Sequence, residues 1–378
     1  MSTLAARVYA ELRGDKAIWA IVALMAIFSL MAVYSATGTL AYQKYGGNTE
    51  AYLIKHGVIL LAGLFLTYVF HLMHYLRFSK WAPVLMVIVI PLLMYTIAFG
   101  VERNDAHRWI DIPFTGLTFQ PSELAKLALI MYVARAISSK QEYIKDFQEA
   151  FLPIIVPVLI ICGLIAPANL STAIILFFTC MMMMFVGRVD LKYVGLLLFL
   201  GVVLFSFLYT LGNFFPEIVR VQTWTSRVAA FMDGSGDVAQ VTQAKIAIAN
   251  GNLFGLGPGN SIQRNFLYVG YSDFIYAIIC EEYGVLGGAL LIGLYVLLFF
   301  RATRLVTKSP KAFGAMLAMG LSILLITQAF VNIAVSVNLV PVTGVTLPMI
   351  SYGGTSLVFT CVAFGIILSV SKYIESVT

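Results

Sequence analysis

The chain has 378 residues, 60% of them hydrophobic and only 11% charged, whereas a soluble domain is about half apolar and a quarter charged. This balance excludes an ordinary soluble enzyme, and the apolar residues form unbroken runs of about 20, enough to cross a hydrocarbon core, without the alternation of a β-barrel strand. The net charge of +6 does not indicate a nucleic-acid partner, because the basic residues sit mainly in short loops where membrane topology explains them.

Ten spans are predicted in chain order, near 17–37, 55–73, 81–100, 121–137, 151–166, 171–187, 191–211, 274–300, 313–336 and 354–372. Arg7, Arg13 and Lys16 precede the first run, which is longer than a signal-peptide core and reads as a retained helix. Glu123 and Lys126 interrupt the fourth run, and Pro153 and Pro157 the fifth. The expected fold is all-α: a polytopic membrane protein of about ten transmembrane helices, one domain over 1–378, with one long extracytoplasmic loop at about 212–272. Cations gather on one side, as Arg77 and Lys80, Arg135, Lys140 and Lys145, Arg188 and Lys192, then Arg301, Arg304, Lys308, Lys311 and Lys372. The short loops opposite hold fewer: Lys44, Lys55, Arg103 and Arg108. The positive-inside rule then puts both termini in the cytoplasm. Cys162, Cys180, Cys280 and Cys361 lie in or beside apolar runs, with neither metal nor disulfide spacing, and read as packing residues.

The loop after the third run reads ERNDAHRWIDIPFTGLTFQPSELAKL. Pro121 suits the first position of a helix, where its missing N–H costs nothing. Glu123 and Lys126 then share one helical face at i, i+3. They form either a salt bridge at the membrane edge or a charged patch facing a cavity, since ionisable groups within a span are usually functional. Arg108 and Trp109 are either interfacial anchors or a guanidinium offered to phosphate. The connection LIAPANLSTAIIL, with Pro167 and Asn169, reads as a tight turn.

The polar stretch from 212 carries Arg220, Arg227, Lys245 and Arg264 against Glu217, Asp233, Asp237 and Asp273. Its GNLFGLGPGN segment lacks the ending of a P-loop and reads as a flexible loop or, alternatively, as a cradle of backbone amides for pyrophosphate. Asp273 stands where the stretch meets the eighth span. It is either the helix N-cap or a partly desolvated general base. At 100° per residue, Glu281 projects about 80° from Asp273 and lines the same cleft deeper in. The final loop, NLVPVTGVTLPMISYGGTSL, is too rich in proline and glycine for a regular helix. It is expected to pack on the outer face against 212–272, as non-helical backbone beside a cavity.

RWI, QPSELAKL, GNLFGLGPGNSIQ, SDFIYAIICEEYG and PVTGVTLPMISYGGTS, in that order, resemble the SEDS family of FtsW and RodA type, and the likeness covers nearly the whole chain. The resemblance implies a ten-helix peptidoglycan glycosyltransferase in the bacterial cytoplasmic membrane, polymerising lipid II. It also implies a class B penicillin-binding protein transpeptidase as partner, among other division or elongation proteins. The family's essential aspartate falls on Asp273, its Arg–Trp pair on Arg108 and Trp109, and its QPxE…K motif on Gln120, Pro121, Glu123 and Lys126. Asn169 stands where the family often has aspartate, so that position supplies no acid here. The compact chain and the first span favour the division type. Asp273 is then the base, and Arg108, Lys126, Arg227, Lys245 and Arg264 are candidate stabilisers of the leaving pyrophosphate. A divalent cation is the alternative stabiliser, although the sequence has no metal-binding box. A lipid II flippase and a non-catalytic scaffold for the transpeptidase are the competing functions.

Overall fold

The computed structural model describes residues 13–38, 49–103, 106–112, 117–215, 219–233, 238–267, 270–309 and 311–375. Of the charges weighed above, Arg7, Lys44, Glu217 and Asp237 lie outside the described residues. Each of the ten apolar runs is a helix: α1 (Lys16–Ala36), α2 (Thr49–Leu72), α3 (Leu76–Phe99), α4 (Pro121–Ser139), α5 (Leu152–Ile165), α6 (Leu170–Val186), α7 (Leu191–Phe214), and, after two further helices, α10 (Ile275–Lys308), α11 (Ala312–Ser336) and α12 (Gly354–Glu375). The two further helices, α8 (Val221–Asp233) and α9 (Val238–Asn250), fold out of the stretch read as loop.

Local chemistry sets the helix ends. The Asp15 carboxylate accepts from the amides of Ala17 (2.9 Å) and Ile18 (3.3 Å) at the start of α1. Asn169 does the same for Thr172 at α6 (3.2 Å), and Asp190 for Lys192 at α7 (3.1 Å). Such caps satisfy amides that have no helical partner. Pro121 takes the first position of α4, as its ring geometry favours. A single π-helical turn, Phe147–Phe151, leads into α5 and is capped by Asp146.

Among the described residues, eight helices are long and apolar enough to cross a membrane: α1, α2, α3, α5 with its π-turn, α7, α10, α11 and α12. The other two depart from the expected ten for separate reasons. α6 is apolar but has only 17 residues. α4 has 19 residues and is more polar, yet most of its side chains are buried, Glu123 and Lys126 included. It packs on α3, α5, α6, α11 and α12, so it is shielded from lipid and has no need of an apolar surface.

The bundle is tightest between α2 and α12. A side chain added at Gly365 would sit 2.6 Å from the Thr67 carbonyl oxygen, and one at Gly63 would sit 2.7 Å from Cys361 Sγ. Thr67 Oγ1 donates to the Cys361 carbonyl (2.9 Å) and Ser369 Oγ to that of Met73 (2.5 Å). Small residues and interhelical hydrogen bonds are what hold helices together where lipid removes the hydrophobic drive. α11 is the central pillar, flanked by α4, α6, α10 and α12, whereas α7 stands at the rim with most of its surface exposed.

The all-α reading holds, with one small addition between α3 and α4. β1 (Val101–Arg103), β2 (Ala106–Ile112) and β3 (Leu117–Phe119) form a short antiparallel sheet with β2 in the middle. Val101 pairs with Trp109, and Ile110 with Phe119. β2 rests on the ends of α3 and α4, which fixes Arg108 and Trp109 on rigid backbone.

Candidate active site

The site grows from the turn before α10. That helix starts at Ile275, its N-cap is Phe274, and no side chain caps it. The Asp273 carboxylate is therefore not committed to a helix end. Its turn is held from two sides. Asn332 Nδ2 of α11 donates to the carbonyls of Asp273 (3.0 Å) and Val345 (2.7 Å). Ser351 Oγ donates to the Ser272 carbonyl (2.6 Å), and the Tyr352 amide to the Tyr271 carbonyl (3.0 Å). The final loop thus packs directly against the end of the polar stretch, as its proline and glycine content suggested.

Ser272 Oγ donates to Asp273 Oδ1 at 2.9 Å. Gly344, at φ +69°, is placed so that a side chain there would come 3.8 Å from Oδ2. Burial raises the Asp273 carboxyl above the ordinary aspartate value, while the Ser272 hydroxyl and then Arg227 and Arg108 pull it down. Desolvation disfavours the charged form and nearby cations favour it; here the first prevails.

Arg108 projects from β2 and donates from Nε to the Ala168 carbonyl in the α5–α6 turn, at 2.7 Å. Burial is the main cause that lowers its guanidinium to about 10; Arg220 and Arg227 lower it further, and Asp273 opposes them. Four segments therefore converge: the sheet, the chain before α8, α8 itself and the turn before α10. They place Arg108 in the field of Arg220 and Arg227, and the Asp273 carboxylate in that of Arg108 and Arg227. Arg108 also lines a narrow pocket with Ser122, Ala168 and Asn169. Concentrated guanidinium charge beside a single carboxylate suits a phosphate-bearing ligand whose neighbour must lose a proton. The donor set is less suited to a dication, which requires several oxygen ligands; among the described residues no group of three or more His, Cys, Asp or Glu side chains comes together. All four cysteines are buried and free.

Other candidates are placed differently. Glu123 and Lys126 are buried and bind one another, with Nζ 2.9 Å from Oε1. Trp109 is half-buried on β2, and Lys245 is exposed on α9. Arg264 donates from Nη1 to the carbonyl (3.4 Å) and hydroxyl (3.2 Å) of Ser35 on α1.

Glu281 lies in a different setting from the one its phase suggested. It is 0% exposed and accepts from Ser261 Oγ, from the Gln263 amide (3.2 Å) and from Asn250 Nδ2 (3.4 Å). The 80° phase failed because Asp273 precedes the helix, so helical rotation does not connect the two residues. Glu282 is held in the same way, by Ser35 Oγ and the Ser261 amide.

The reason for these bonds is a break in α10 at Gly284, whose φ of 68° and ψ of −173° are not helical. The carbonyls of Glu281 and Glu282 instead accept from the amides of Leu256 (2.9 Å) and Gly257 (3.0 Å). The amides of Val285 and Leu286 donate to Asn252 (2.9 Å) and Leu253 (3.3 Å). The glycine-rich segment is therefore neither a flexible loop nor a pyrophosphate cradle. It splices the broken helix, and glycine lets it come close: a side chain at Gly255 would collide with the Glu282 carbonyl oxygen.

Arg220 is the site residue that sequence reasoning missed. It appeared only as one of several loop cations, and nothing in its spacing links it to Arg108.

The sequence pattern of the FtsW/RodA/SpoVE cell cycle protein family matches residues 15–376. Stage V sporulation protein E of Bacillus subtilis (strain 168) is 33% identical over 348 residues, 90% of this chain and 92% of that protein. A probable peptidoglycan glycosyltransferase FtsW of Nitrosococcus halophilus (strain Nc4) is 33% identical over 342 residues, 89% of this chain and 86% of its own. A chain of a solved peptidoglycan synthase complex, described as coordinating polymerization and crosslinking, superposes with a TM-score of 0.73 at 25% identity, over 96% of this chain and 98% of its own. Rod shape determining protein RodA of Thermus thermophilus shares the fold, with a TM-score of 0.68 at 24% identity over 95% and 96%.

Proposed function

Because this chain belongs to the FtsW/RodA/SpoVE family of cell cycle proteins, we infer that it is a membrane-embedded peptidoglycan glycosyltransferase, and we propose that it polymerises lipid II with Asp273 as general base. The observation that carries the assignment is a desolvated carboxylate, uncommitted to any helix cap, beside converging arginines. In the reaction an acceptor sugar hydroxyl attacks the anomeric carbon of the donor. The new C–O bond forms as the bond to the lipid pyrophosphate breaks. Asp273 takes the hydroxyl proton, and the leaving pyrophosphate collects negative charge beside Arg108, Arg220 and Arg227, where fixed cations stabilise it.

The lipid end of the substrate has a matching path. An apolar groove runs between α5, α6 and α7, lined by Cys162, Ala166, Phe177, Gly201 and Phe205. Ala168, which accepts from Arg108, is two residues beyond Ala166 in the same turn. A polyprenyl tail in the groove thus brings its pyrophosphate to the arginines. The charge distribution supports cytoplasmic termini and an extracytoplasmic site, in the cytoplasmic membrane of a bacterium. The larger of the two buried apolar clusters runs from α1 to α12 and supports one domain. FtsW names among the relatives support the division type, and the likeness to a synthase complex supports a class B penicillin-binding protein as partner.

The test is Asp273→Asn in a lipid II polymerisation assay with purified protein, with and without the transpeptidase. Asparagine keeps the acceptor for Ser272 and costs no cap, because Phe274 occupies that position without side-chain help. Loss of a general base lowers the rate by about 10²- to 10⁴-fold. Polymer at near wild-type rate from a well-folded Asp273→Asn protein would overturn the assignment and favour a flippase or scaffold.

A further inference from the structure

At the end of the bundle remote from Asp273, three helix ends enclose a second pocket. They are the start of α1, the end of α10 and the end of α12. Arg301 lies 17 residues beyond the break at Gly284, about 25 Å further along the second part of α10 at 1.5 Å per residue. The pocket has a volume of about 310 Å³. Arg301, Arg304 and Lys308 line it from α10, at i, i+3 and i+7, which is one helical face. Lys16 lines it from α1, and Leu305 and Ile374 supply apolar wall.

Asp15 is the one acid lining the pocket among the described side chains, and it is saturated. Its Oδ2 accepts from Arg301 Nη2 (2.7 Å) and Nε (2.8 Å), and its Oδ1 caps α1. That ion pair holds Arg301 in place and leaves the pocket positive. Arg304 and Lys308 are exposed at its rim, with the Arg304 guanidinium 5.2 Å from the Phe300 ring centre. The positive-inside rule explains why cations lie at this end. It does not explain why four of them line one cavity with apolar wall beside them.

We propose that this pocket binds the phosphodiester headgroup of an anionic phospholipid, in the leaflet opposite the catalytic site. The phosphate sits among Arg301, Arg304 and Lys308, and the first acyl carbons run along Leu305 and Ile374. Basic pockets between span ends recognise such headgroups, each cation near the surface contributing about 5-fold in affinity. The site is independent of the polymerisation chemistry; only its assignment to the cytoplasmic leaflet rests on the topology above.

The experiment measures phosphatidylglycerol retained against phosphatidylcholine by native mass spectrometry, on the full chain purified from mixed micelles. The wild type is expected to prefer phosphatidylglycerol. Arg304→Gln with Lys308→Gln should reduce that preference roughly 25-fold. Both side chains are exposed, so the variant should fold, and its lipid II polymerisation reports that it has. Arg77→Gln with Lys80→Gln removes equal charge from exposed positions on the same side of the protein and should leave the preference unchanged. An equal loss in both double variants, or no loss in either, would overturn the site. Displacement of the lipid by inorganic phosphate at equal concentration would show a free-anion site and overturn the lipid assignment.

Discussion

The ion pair on α4 offers the sharpest energetic test. Glu123 and Lys126 are 8% and 4% exposed and 2.9 Å apart. Removing one partner of a buried pair costs about 3–5 kcal/mol, because a charge is left without compensation. The two removals should differ. Glu123 occupies the third position of α4, where unpaired amides and the helix dipole favour an anion by roughly 0.3–1 kcal/mol. After Lys126→Met the carboxylate keeps that help. After Glu123→Gln the ammonium faces the same dipole unaided. Glu123→Gln should therefore be the more damaging by about 1 kcal/mol, and the double variant should recover most of the loss, since apolar or neutral replacement of a whole buried pair is often neutral. Equilibrium unfolding in mixed micelles of the wild type, both single variants and the double variant gives the coupling energy directly. Costs that simply add, or single variants within about 0.5 kcal/mol of wild type, would show that the pair is solvated and uncoupled.

Two further outcomes follow from the site and the topology. Burial raises the Asp273 carboxyl above 3.8, and a base works only when deprotonated. The acid limb of the polymerisation rate should therefore lie above pH 3.8, with activity rising as pH rises through it, and should vanish from the residual rate of Asp273→Asn; the same limb in both proteins would assign it to another group. Thr242 is exposed on α9 and the native cysteines are buried, so Thr242→Cys in intact spheroplasts should react with an impermeant thiol reagent, whereas labelling only after lysis would invert the topology.

The helices were legible because each span answers to its own solvent. A run such as Leu191–Phe214 reads as a membrane helix whatever its neighbours do. α4 was also found, through Pro121 and the motif after it, although its composition is that of a helix hidden among others. What escaped was structure decided by tertiary contact. The sheet strands β1 and β3 have three residues each, too few to show alternation. The break at Gly284 sits within an apolar run that reads as continuous, and only the facing amides of Leu256 and Gly257 make it tolerable. Asp273 was recognised as a position, but whether it caps a helix turned on one residue, since Phe274 and not Asp273 precedes Ile275. The meeting of Arg108 with Arg220 and Arg227 joins two segments distant in sequence, and no local pattern announces it.

The shielding of α4 bears on how the protein is made. A charged residue raises the cost of inserting a membrane helix, by about 2.5–3.5 kcal/mol at its centre and less toward its ends, and α4 carries both Glu123 and Lys126 in its first two turns. It leaves the ribosome directly after α3, its most extensive partner, so the two can enter the bilayer as a hairpin, with the charges already paired one turn apart. α11, the pillar that completes its enclosure, is synthesised much later. Until then the open flank of α4 must be covered by α5 and α6, which follow at once and both pack on it. Chain order therefore doubles as an assembly schedule: the helix least suited to lipid is flanked in sequence by those that relieve it of lipid contact.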